Sequence, residues 1–146
     1  MEFQELQLMP GVRLRPMRAG DLDTVVTLER GAGGNCSRSL FLVRLSMPSF
    51  LSFVVEQRGI VAFGVLLFKG VEADGVKLVS NGSGAAFAAH ALKALKPVLR
   101  ALGAERLVGR CKPALLRYYQ GLGFTAVGTL PRFFGSEDAV ALEQKL

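Results

Sequence analysis

Apolar and basic residues alternate over residues 12–17, VRLRPM, and predict a first strand with one buried face. In the following GDLDTVVTLER, Leu22, Val25, Val26 and Leu28 recur at helical spacing. Asp21 and Asp23 stand at its start, where the helix dipole favours negative charge. No Ser or Thr precedes this helix, so Gly20 or Asp21 must cap it. Gly31 ends it, and GAGGN reads as a flexible loop. A second helix is predicted over 37–48, stopping before Pro48. The pattern then becomes β-rich. Ser52–Gln57, a turn at Arg58-Gly59 and IVAFGVLLF together predict a hairpin, and Gly75–Val79 a further short strand.

SNGSG breaks the strand pattern, and AAFAAHALKALKPVLRALG is helical in composition. Pro97 inside it is expected to kink or divide the helix, and Gly103 to close it. ERLVGRC, 105–111, predicts a strand. PALLRYYQGLG, 113–123, predicts a short helix with proline at its first position. FTAVGT and DAVALEQKL predict two last strands joined by the loop LPRFFGSE. With no repeat and no low-complexity linker, residues 1–146 read as one domain. The expected class is α/β (α+β): a mixed, mostly antiparallel sheet of six to seven strands, with helices on both faces.

Charge narrows the partners. Eighteen Lys and Arg against twelve Asp and Glu give a net charge of +6, which favours anionic partners. The basic residues are scattered and form no block, and no nucleic-acid-binding motif is present, so nucleic acid is not an expected partner. The longest apolar run, Ile60 to Phe68, is nine residues and contains Gly64, too short to cross a bilayer. The start, MEFQELQLMP, has neither a basic nor an apolar leader region. Cys36 and Cys111 make no disulfide framework and, with His90 alone, no metal site. A cytoplasmic location is the expectation.

Three stretches, VRLRPMRAGDLDTVVTLE, FVVEQRGIVAFGVLLF and LGAERLV with ALLRYYQGLGFTAVGT and EDAVALE, resemble the GNAT superfamily of N-acetyltransferases over nearly the whole chain. The family's penultimate helix carries an alanine, a Tyr four residues on, then Gly-Phe just after the helix. Here Leu115 stands at the alanine, followed by Tyr119 and Gly123-Phe124. PRFFGSEDAVALE is similar to the end of the ribosomal-protein N-terminal alanine acetyltransferases. The resemblance implies transfer of an acetyl group from acetyl-CoA to a primary amine, on a peptide or a small molecule. Tyr119 would be the catalytic acid, because a positioned phenol can protonate the departing thiolate. Tyr118 is the reserve, since adjacent helical positions diverge by about 100° and only one is expected to face the cleft.

The same resemblance implies a Gln/Arg-x-x-Gly-x-Gly/Ala loop that holds pyrophosphate on backbone N–H groups at a helix start. One register places it at Ser83, Gly84, Ala85, Ala86, Phe87 and Ala88; a second runs from Val79 to Gly84. The first is preferred, because the second consumes the preceding strand. Both spellings depart from the family pattern. Backbone near Leu78 to Ser80 would bind the thioester oxygen, and the pantetheine arm would lie where the sheet opens between its fourth and fifth strands. Lys77 and Arg110 occupy positions where relatives carry a base, and Lys112 replaces an Asn. Glu72, Asp74 and Glu137 are the carboxylates left nearby. The alternative is a GNAT-shaped binding module that has lost catalysis. A homodimer is foreseen if the last strand, DAVALEQKL, lies on an edge.

Overall fold

A computed structural model describes residues 2–146 and contains one sheet of eight strands in the order β1-β2-β3-β4-β5-β6-β8-β7. The strands are β1 (Leu6–Met9), β2 (Val12–Pro16), β3 (Phe50–Glu56), β4 (Ile60–Lys69), β5 (Glu72–Ser80), β6 (Arg106–Cys111), β7 (Thr125–Phe134) and β8 (Glu137–Lys145). The helices are α1 (Leu22–Gly31), α2 (Arg38–Ser46), α3 (Ala88–Ala101) and α4 (Leu116–Gly121). Every neighbouring pair is antiparallel except β5–β6. The count exceeds the six to seven strands expected because β1 was not foreseen. It is four residues long and is held by pairing with β2 and by Leu6, Leu8 and Met9 packing on the core.

The centre of the sheet is buried on both faces, which is why β3 and β4 read as nearly continuous apolar runs. Leu51, Phe53 and Val55 of β3 join one cluster with Ala91, Leu95 and Leu99 of α3. Val54, Phe63 and Val65 join another with Leu22 and Val25 of α1 and Phe41 of α2. Gly64 lies opposite Phe53, and a Cβ there would collide with the Phe53 ring; the glycine makes room for a core aromatic. Ser37 caps α2 by accepting from the Leu40 N–H at 3.2 Å.

Pro97 does not divide α3. It lies on the exposed face with Lys93, the residue whose carbonyl loses its partner, so water can take the place of the missing N–H. The supposed loop LPRFFGSE is mostly strand: β7 runs to Phe134, and a register shift between Leu130 and Phe134 absorbs Pro131 and the positive φ of Arg132. DAVALEQKL is not on an edge. It forms β8, between β6 and β7, and leaves β7 as the outer strand.

Candidate active site

The cleft follows from a failure of pairing. β5 and β6 are joined only through Glu72–Arg106, Ala73–Leu107 and Asp74–Val108. Beyond Asp74, β5 continues to Ser80 and β6 to Cys111 without pairing to each other. A register shift on β5, where Gly75 and Lys77 face consecutive residues of β4 and Val76 is extra, bends the strand at this point. The sheet thus opens between the fourth and fifth of the strands read from the sequence.

Three cavities meet at the opening. The first, about 100 Å³, is lined by Leu78, Ser80, Gly84, Ala88, Tyr118 and Tyr119 among others. The second, about 90 Å³, runs beneath α3 between Leu78, Ala88, Leu95, Leu107 and Leu122. The third, about 380 Å³, lies beyond β5 between Lys77, Leu78, Arg110, Tyr119, Phe133 and Phe134. Leu78 borders all three, and Tyr119 borders the first and third.

Local structure explains how Tyr119 comes to stand there. A single 3-10 turn starting at Pro113 leads into α4, and the Phe124 N–H donates to the Tyr119 carbonyl at 3.1 Å as the chain leaves the helix. Gly123 makes that exit at φ +98°, a conformation that favours glycine. The Tyr119 ring meets Phe124 edge-on at 6.0 Å and Tyr118 at 5.3 Å between centroids. Burial, with smaller contributions from Tyr118 and Cys111, pushes the Tyr119 phenol above the ordinary tyrosine range. It therefore remains a proton donor throughout the neutral range. Both tyrosines reach the first cavity, contrary to the expectation that only one would face the cleft; Tyr118 is the more exposed.

The expected cofactor residues separate. Leu78, Ser80, Gly84 and Ala88 border the first cavity, whereas Ser83, Ala85 and Ala86 lie exposed on the loop outside it. Val79 and Ser80 end β5, and α3 begins at Ala88 after a 3-10 turn over Gly84–Phe87. Gly84 is required by packing: a Cβ would run into the Val61 carbonyl of β4. Its N–H donates to Asn81 Oδ1 at 2.8 Å, the Ala85 N–H to the Asn81 carbonyl at 3.2 Å, and the Ala88 N–H to the Ala85 carbonyl. Three of the backbone donors foreseen for phosphate are thus already engaged.

The carboxylates near the cleft are also engaged. Glu72 pairs with Arg106 at 2.9 Å and Asp74 with Arg110 at 2.6 Å, while Glu137 stands 3.9 Å from Lys112. Lys77 is paired with Glu29 at 2.8 Å. Glu29, on α1, is 1% exposed and also accepts the Cys36 N–H. Sequence reasoning missed Glu29, which looks like a solvent-facing residue near a helix end, and missed Asn81, although an Asn three residues before a glycine is a turn-forming signal. Phe133 and Phe134 fell within the expected loop LPRFFGSE and were given no role. They stack under Arg110 (5.3 Å) and Lys112 (6.0 Å) respectively.

No family model matches the chain, and no curated protein matches it in sequence. Solved structures do match in shape. Ard1 from Thermoplasma volcanium superposes with a TM-score of 0.81 at 16% identity, covering 93% of this chain and 98% of that one. A mutant of spermidine N-acetyltransferase from Vibrio cholerae gives 0.79 at 17% identity, covering 94% and 95%. The ribosomal-protein-S18-alanine N-acetyltransferase from Escherichia coli gives 0.75 at 19% identity, covering 92% and 93%. At these identities the likeness concerns architecture, and with the opening between β5 and β6 it gives one conclusion: the chain has the GNAT fold.

Proposed function

We propose that the protein is an acetyl-CoA-dependent N-acetyltransferase acting on a primary amine. The observation that carries this reading is the opening of the sheet beyond Asp74, with Tyr119 standing between the cavities on its two sides. The narrow, largely apolar first and second cavities suit a pantetheine arm. The loop before α3 suits pyrophosphate less well, since the N–H groups of Gly84, Ala85 and Ala88 are engaged. Donor binding therefore rests mainly on the apolar opening.

Bound acetyl-CoA would supply a thioester carbonyl carbon to which the amine nitrogen bonds as the C–S bond breaks and the thiolate leaves. Tyr119 donates its phenolic proton to that sulfur and regains one from solvent, matching the proton the amine gives up. A backbone N–H near Leu78, on the part of β5 that β6 leaves uncovered, is suited to the carbonyl oxygen. Among the described residues no carboxylate borders the third cavity, so the amine loses its proton to water. That slows the reaction without preventing it.

Calorimetric titration with acetyl-CoA tests the reading. Micromolar binding that disappears in Ala88→Phe is the expected result, because Ala88 borders both inner cavities. Absence of binding at millimolar acetyl-CoA would leave the fold as an interaction module.

A further inference from the structure

The third cavity has a one-sided polar character. Among the described residues, its charged lining consists of Lys77 and Arg110. Their side chains are 28% and 23% exposed, while the carboxylates that pair with them, Glu29 and Asp74, are 1% and 7% exposed and do not border the cavity. At hydrogen-bonding distance an occupant meets the donors and not the acceptors. Among the described residues, the Arg110 guanidinium makes one hydrogen bond, from Nη2 to Asp74 Oδ1, which leaves Nε and Nη1 without a protein partner. Its planar fork can engage a second anion while keeping the first.

The aromatic residues argue in the same direction. Exposed Phe rings beside an amine site could hold a cationic substrate by its charge. Here the Phe133 and Phe134 rings already carry the protein's own Arg110 and Lys112. The acetylated nitrogen would lie near Tyr119 and Leu78, which border this cavity, and the rest of the acceptor against Lys77 and Arg110. A second ammonium on the acceptor would meet like charge there; a carboxylate or phosphate would meet donors.

We infer that the third cavity selects amines carrying an anionic group close to the reacting nitrogen, and rejects polyamines. The inference rests on the acetyltransferase reading for the fate of the amine, but its binding preference can be measured separately.

Two otherwise identical peptides serve as probes, each with alanine first and then either two glutamates or two lysines; spermidine is a third. Binding is followed by titration and acetyl transfer by release of the free thiol. The acidic peptide should bind about ten-fold more tightly than the basic one at low salt, a preference that shrinks as salt rises. It should disappear in the double variant Arg110→Gln with Asp74→Asn, which removes the pair without leaving a buried charge alone. If that variant does not fold, Lys77→Gln with Glu29→Gln replaces it. Equal or better binding of the basic peptide or spermidine overturns the inference even if acetyl transfer occurs. So does failure of the acidic peptide to bind. Preferential binding of the acidic peptide with no acetyl transfer to any probe sustains the anion-selective pocket and sinks the transferase reading instead.

Discussion

On one side of the cleft, β3 and β4 keep five and six of their residues buried, and packed clusters cover both faces of the sheet. On the other, none of the ten residues of β7 is buried, and α4 has no buried residue. The two arms share three parallel pairs and Leu107, which reaches into the α3-side cluster. Yet the thinly packed arm supplies Tyr119, Arg110, Phe133 and Phe134, most of the side chains on the far side of the cleft. Stability and chemistry are thus divided. The first arm provides a rigid wall, and the second presents functional groups to it at little cost in core volume.

Core truncation should expose that division most strongly. Phe63→Ala removes a fully buried ring that meets Phe41 edge-on at 5.4 Å, and should cost about 3–5 kcal/mol in denaturant unfolding. Phe133→Ala, half exposed, should cost less than about 1 kcal/mol. Similar losses for the two would break the comparison.

Tyr119→Phe should do the reverse. If the phenol is the acid, kcat should fall about a hundred-fold while unfolding and acetyl-CoA binding stay near wild type. Because burial raises the phenol's pKa, wild-type activity should not decline with rising pH until beyond the ordinary tyrosine value, and Tyr119→Phe should lack that decline. A hundred-fold loss accompanied by weaker donor binding would make Tyr119 a wall residue only.

The first arm's electrostatics give a smaller effect. Arg15 on β2 donates to both carboxylate oxygens of Asp21 at 2.8 Å and to Glu56 at 2.6 Å. Hydrogen bonds from Arg15 hold both carboxyls below their ordinary range. A depressed folded-state pKa contributes stability that is complete above the unfolded value and is lost as pH falls through the folded one. Arg15→Met should therefore cost about 2 kcal/mol at neutral pH and flatten the loss of stability below about pH 4. An unchanged acid limb would mean that other carboxylates govern it.

In both arms the sequence could be read only in part. Alternation and helical spacing locate β2 to β4 and α1 to α3, because burial there forces the pattern. β1 escapes because four residues gain order only by pairing with β2 and packing beside α3. β5 is longer than Gly75–Val79, since Glu72 and Asp74 look unlike strand residues until Arg106 and Arg110 of the neighbouring strand neutralise them. At the cleft, the penultimate-helix pattern pointed to Tyr119. The engagement of the Gly84 N–H by Asn81 and the pairing of Lys77 with Glu29 depend on contacts that spacing does not encode.

The smallest expected effect concerns the outer strand. β7 presents Val127 and Leu130, 58% and 38% exposed, on an edge with no neighbouring strand among the described residues. Apolar side chains that stay in water in the folded state forfeit little when shortened or made polar. Val127→Thr with Leu130→Thr should therefore change unfolding free energy by no more than about 0.5 kcal/mol, whatever the protein concentration. Sedimentation alongside the denaturation curves decides what a different result means. A loss that grows with protein concentration, together with a shift from dimer to monomer, would show β7 covered by a second copy, because association contributes to stability through mass action. The thin arm would then be thin only in the isolated chain.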